Sequence, residues 1–119
     1  MKKSLLIVFA LILASTMAYA DPTIFNRLIS GRKTVSSAGT AEALSSVSIG
    51  IKGCVVCAED SNTGTISVGG QNGTVAVEPT RTGIYLLTAD CAMIPVNDLS
   101  NIYVNSTING DGVTFGYYQ

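Results

Sequence analysis

Turn signals recur along this chain about every ten residues, and they leave room only for short strands between them. Asp60-Ser61-Asn62-Thr63-Gly64, Gly69-Gly70-Gln71-Asn72-Gly73 and Asn109-Gly110-Asp111-Gly112 all combine glycine with side chains that bond their own backbone. Between such clusters run Val, Ile, Thr and Tyr at period two, as in Ile66 and Val68 or Ile84 and Leu86. No helical period of useful length occurs after residue 33. The expected fold is therefore all-β: a small antiparallel β-sandwich, jelly-roll-like or barrel-like.

The strand candidates are residues 34–37, 40–44, 47–52, 54–58, 65–69, 74–77, 83–88, 101–106 and 112–118, with a possible edge strand within 89–98. Residues 54–58 and 65–69 read as a hairpin across the Asp60–Gly64 turn. Residues 101–106 and 112–118 read as a last pair joined through Asn109–Gly112. Gly53 interrupts the alternation of Val47, Ile49 and Ile51, and such a glycine often marks a bulge that changes the facing of everything after it.

The first twenty residues have a different texture. Lys2 and Lys3 precede an apolar run over residues 5–13, and the segment closes on Ala18-Tyr19-Ala20. A basic head, short apolar middle and small-residue exit make a secretory signal peptide, here a helix cleaved after Ala20. The run is too short to span a bilayer. The expected organisation is a signal peptide over 1–20, an arm over 21–33 and the β-sandwich over 34–119. In the arm, Pro22 breaks regularity while Ile24, Phe25, Leu28 and Ile29 follow a helix-like spacing. The expected location is exported, periplasmic or extracellular, with no membrane span after cleavage.

Composition narrows function by exclusion. After cleavage five basic residues face eight acidic ones, for a net charge of about −3, and only Arg32-Lys33 are adjacent. Phosphate backbones call for a basic face, so nucleic acid is not an expected partner. The chain has no His, which removes the commonest general base and the commonest metal ligand. The acids Glu59, Asp60, Asp90, Asp98 and Asp111 all fall in expected turns, where hydrogen bonding to local backbone explains them. No nucleophile–base arrangement is visible, and neither an enzyme nor a cofactor or metal site is expected.

Cys54-Val55-Val56-Cys57 and Cys91 are the remaining candidates for chemistry. A redox CxxC needs a thiolate activated by a helix N-terminus, and this one sits among β-branched strand residues. In an oxidising compartment Cys91 is expected to form a structural disulfide with either Cys54 or Cys57. Strand parity does not choose between Cys54–Cys91 and Cys57–Cys91, because Gly53 precedes both. Tyr85, Tyr103, Tyr117 and Tyr118 form the candidate interface, and a platform for a glycan is the alternative use of the same rings.

Several segments in fixed order resemble a small all-β domain of tailed-phage virion proteins. They are Gly39-Thr40-Ala41-Glu42-Ala43-Leu44-Ser45, Ala58 with Asn62-Thr63-Gly64-Thr65-Ile66-Ser67-Val68-Gly69, Asp98-Leu99-Ser100-Asn101-Ile102-Tyr103-Val104, and Asn109-Gly110-Asp111-Gly112-Val113. The resemblance implies a structural or decoration module and a Cys54 side chain that points inward. The expected function is thus an exported, non-enzymatic structural subunit that binds a protein partner or itself. A secreted carbohydrate- or ligand-binding module is the alternative.

Overall fold

The computed structural model describes residues 27–70 and 81–119. The expected signal peptide, the first part of the arm, the Asn72-Gly73 turn and the strand at 74–77 lie outside the described residues.

Among the described residues, eight strands form two four-stranded antiparallel sheets. They are β1 (Leu28–Thr34), β2 (Glu42–Ala43), β3 (Cys54–Ala58), β4 (Ile66–Gly70), β5 (Ile84–Leu86), β6 (Cys91–Ile94), β7 (Ile102–Ser106) and β8 (Gly112–Tyr118), with one 3₁₀ turn at Leu99–Asn101. The first sheet has the order β1-β8-β3-β6 and the second β2-β7-β4-β5. First pairs with eighth, second with seventh, third with sixth and fourth with fifth, as if one long hairpin had been wrapped over itself. That wrapping defines a jelly roll.

The core lies between the sheets. Val56, Val68, Ile102, Val104 and Val113 are completely buried there, and Ile66 and Cys54 nearly so. The β-branched shapes of these valines and isoleucines suit a pleated, close-packed layer, and burying each contributes about 1.5–3 kcal/mol. Val35, Leu44, Ile51 and Leu99 from the connections close the two ends.

Three expectations are corrected. Residues 28–33 are not a helix-like arm but most of β1, alternating exposed and half-buried against β8. Gly31 permits that pairing, because a Cβ there would stand 2.4 Å from Cζ of Phe115. Residues 47–51 are not a strand. Gly53 turns at φ +128, Gly50 makes only an isolated bridge to Asp98, and the Asp98 carboxylate takes the Ile49 amide that a neighbouring strand would have taken. Neither expected hairpin forms, since β3 and β4 belong to different sheets, as do β7 and β8. Asp60–Gly64 and Asn109–Gly112 are corners that carry the chain from one layer to the other.

Those corners are fastened to each other. Asn62 Nδ2 donates to the Gly112 carbonyl and Asn62 Oδ1 accepts from the Gly112 amide, both at 2.8 Å. Asp111 is buried and accepts from the amides of Thr63 (3.0 Å) and Gly64 (2.8 Å) and from the Ser106 hydroxyl (3.0 Å). These bonds spend the Asp111 carboxylate inside the fold.

One open side of the sandwich is closed by charge. Lys33 on β1 reaches Glu42 on β2 at 2.9 Å, and the same carboxylate accepts from both the amide and hydroxyl of Ser36 and from the Ser37 amide. Burial alone would raise the Glu42 carboxyl, but Lys33, the Ser36 hydroxyl and the two amides together outweigh it and hold it at about 2. Glu42 therefore keeps its charge in the folded state at a pH where the unfolded chain takes up a proton. Its contribution is complete above about pH 4.5 and is lost as the pH falls toward 2. Urea midpoints measured between pH 6 and pH 2 should fall less steeply for Glu42→Gln than for the parent. Equal slopes would show that Glu42 is not a principal source of the acid sensitivity.

Candidate functional site

The four candidate tyrosines do not form one surface. Tyr117 lies in the core, only 7% exposed, with its ring 6.3 Å from that of Phe115, which corrects its place among the interface candidates. Tyr85 and Tyr103 lie on the outer face of the second sheet. They project beside Ser67 and Asn105, polar residues with the same facing on β4 and β7. Tyr118 alone projects from the outer face of the first sheet. The Arg81 guanidinium sits 4.2 Å from the Tyr85 ring centre, so one face of that ring is already occupied.

The cysteines separate in the same way. Positions i and i+3 on a strand face opposite sides of the sheet, so Cys54 and Cys57 cannot act as one dithiol or one pair of ligands. Cys57 lies directly across from Cys91 on β6 and is bonded to it. The pairing of Cys54 with Cys91 is therefore not formed. Cys54 is buried on the core side of β3, where burial pushes its thiol up to about 11. Such a thiol is inert packing.

The first sheet's outer face is built in register. Ser30, Gly116, Val55 and Met93 line up across β1, β8, β3 and β6. Arg32, Thr114, Cys57 and Cys91 form the neighbouring row, and Leu28 with Tyr118 the row on the other side. Gly116 contributes no side chain, and above it lies a shallow groove of about 420 Å³ walled by Leu28, Val55, Thr114 and Tyr118. On the same face Leu28 (61% exposed) and Tyr118 (37%) wall the groove, and Met93, on β6, is 74% exposed.

Charge is placed at the ends of this face. Arg27 and Lys52 are exposed beside Leu28 and Tyr118, and the Lys52 amide donates to the Tyr118 carbonyl. Asp60 and Asp90 are exposed at the opposite end, beyond the disulfide. There Arg32 binds Glu59 with both arms of its guanidinium, Nη2 to Oε2 at 2.7 Å and Nε to Oε1. The bond from Arg32, with its charge, holds the Glu59 carboxyl below the usual range despite partial burial and the nearby Asp111.

Leu28 and Met93 were not among the sequence candidates. Leu28 falls within the expected arm, and Met93 within residues 89–98, where an edge strand is expected without fixed bounds. The only available signal was Cys91, Ala92, Met93 and Ile94, apolar at four successive positions, which leaves one face of an edge strand apolar toward solvent. No protein-family model matches the chain, and no curated protein matches its sequence.

Proposed function

We propose that this protein is an exported, non-enzymatic structural or interaction subunit whose working surface is the outer face of the first sheet. One observation carries the reading: Leu28, Met93 and Tyr118 stand exposed on the face that holds the Gly116 groove. An antiparallel sheet with one face on the core ordinarily presents polar residues on the other. On the second sheet the outer positions that reach solvent are the phenol-bearing Tyr85 and Tyr103, with Ser67 and Asn105 buried beside them, whereas the first sheet exposes Leu28 and Met93. Large apolar side chains gathered exposed on one sheet face are the usual mark of a contact surface.

The N-terminal basic–apolar–small pattern and the Cys57–Cys91 disulfide both support export. The likeness to phage virion domains agrees with a structural role. The jelly roll itself adds little, since it hosts capsid subunits, lectins and enzymes alike. A glycan-binding use of Tyr85 and Tyr103 is the weaker reading, because Arg81 already covers one of the two rings.

The test is a paired substitution on residues 21–119. Leu28→Lys with Met93→Lys should weaken association, followed by size exclusion and negative-stain microscopy, by about tenfold or more while leaving the melting temperature nearly unchanged. Assembly or partner binding that proceeds undiminished in the double variant would remove this face as the working surface.

A further inference from the structure

We infer that Cys91 is a thiol-exchange site, where an external dithiol opens the Cys57–Cys91 bond by attack at the Cys91 sulfur while both sheets stay folded. This holds whether or not the outer face of the first sheet is the working surface.

Exchange requires a thiolate to approach one sulfur in line with the bond that breaks, from the side opposite the leaving sulfur. Cys57 and Cys91 stand directly across from each other on β3 and β6, so their bond runs across the strands. Behind Cys57 along that line comes β8, where Thr114 is its partner in register and shares its facing. The row continues to Arg32 on β1, itself engaged with Glu59. Behind Cys91 the sheet ends, because β6 is last in the order β1-β8-β3-β6. Among the described residues no further strand lies there. Exposure agrees with this line of approach, for Cys91 is exposed and Cys57 half-buried. One end of the bond is open and the other is screened.

The step balances with a dithiol as reductant. Its thiolate bonds to Cys91 Sγ, and the electron pair of the broken bond leaves with Cys57 Sγ, which takes a proton. The second thiol of the reductant then attacks the reductant's own sulfur in the mixed disulfide. That attack releases Cys91 as a thiol and closes the reductant as a disulfide.

Opening this bond touches one strand. β6 is then held by its ladder to β3 and by the packing of Ala92 and Ile94. The ladders of β8 with β1 and β3, and those of the second sheet, do not depend on the bridge. The change is therefore a local one. Cys54 supplies an internal control, since it is buried on the core side of β3 and meets reagent only when the layers part.

The experiment treats the oxidised protein, in mildly alkaline native buffer, with cysteamine, a monothiol that stops at the mixed disulfide. Early samples are quenched with N-ethylmaleimide and mapped by fragment-ion mass spectrometry. Cysteamine on Cys91 with maleimide on Cys57 should exceed the reverse pattern by about tenfold or more, with Cys54 unmodified. Dithiothreitol should then reduce the bond fully, with Cys54 still unlabelled. Adducts shared evenly, or favouring Cys57, overturn Cys91 as the point of attack. Opening that needs urea, or that always brings label onto Cys54, overturns exchange in the folded state.

Discussion

Replacing Asp111 with alanine is expected to cost about 3 kcal/mol, a large share of the 5–15 kcal/mol available to a domain of this size. The carboxylate is 5% exposed and has three donors: the amides of Thr63 and Gly64 and the hydroxyl of Ser106. Hydrogen bonds to a charged group contribute more than neutral ones, and removing the acceptor leaves the donors partly desolvated without a partner. Two of the donors belong to the corner after β3 and the third to the end of β7. The loss therefore loosens the join between layers and not one strand alone. Asp111→Asn keeps one acceptor oxygen and should cost less than Asp111→Ala. Urea unfolding followed by circular dichroism measures both. A loss under about 1 kcal/mol for the alanine variant would show that the corners hold without this carboxylate.

That corner also shows where sequence reasoning succeeds and where it stops. Asn62, Gly64, Asn109 and Asp111 announce turns through local chemistry, and turns stand at both places. Local chemistry does not say whether a turn folds a strand back onto its own sheet or passes it to the facing one. That depends on Asn62 and Asp111 reaching partners about 50 residues away, which no short window contains. The strands at 54–58 and 112–118 were legible because Val55-Val56, and Val113-Thr114-Phe115 with Tyr117-Tyr118, are strand-favouring residues set off by turn signals. Residues 47–51 alternate, yet the side chain of Asp98 takes the place of a neighbouring strand. A distant carboxylate overrode the period.

The candidate surface was legible in part for a related reason. Tyr118 stands out as an aromatic near the end of a strand, and it does lie on the first sheet's outer face. Tyr117, its neighbour, must face the core by the same alternation. Met93 and Leu28 become visible only once β6 and β1 are placed beside β3 and β8. Each lies on an edge strand whose facing is set by its neighbour. The disulfide follows the same logic: parity at Cys54 and Cys57 waits on the turn at Gly53, and the register with β6 then selects Cys57.

Loss of the Cys57–Cys91 bond is the other change with a large expected effect. The bond spans a separation of 34 residues, and the chain-entropy estimate for such a loop is about 3–4 kcal/mol. For a domain this small that corresponds to a fall of about 15–25 °C in melting temperature, by reduction or by Cys57→Ala with Cys91→Ala. Cys54→Ala should cost far less, since that thiol holds nothing together and leaves only a small void.

The damage should also be local before it is global. Among the described residues β6 is a four-residue edge strand that pairs only with β3, and only Ala92 and Ile94 pack from it against the core. Without the staple, its amides should exchange with deuterium well before those of β7 or β8. Met93 leaves the outer face together with β6, so reduction should weaken association through that face even below the melting transition. A reduced protein that melts within about 5 °C of the oxidised one, with β6 still protected, would show that the strand ladder holds this edge without help from sulfur.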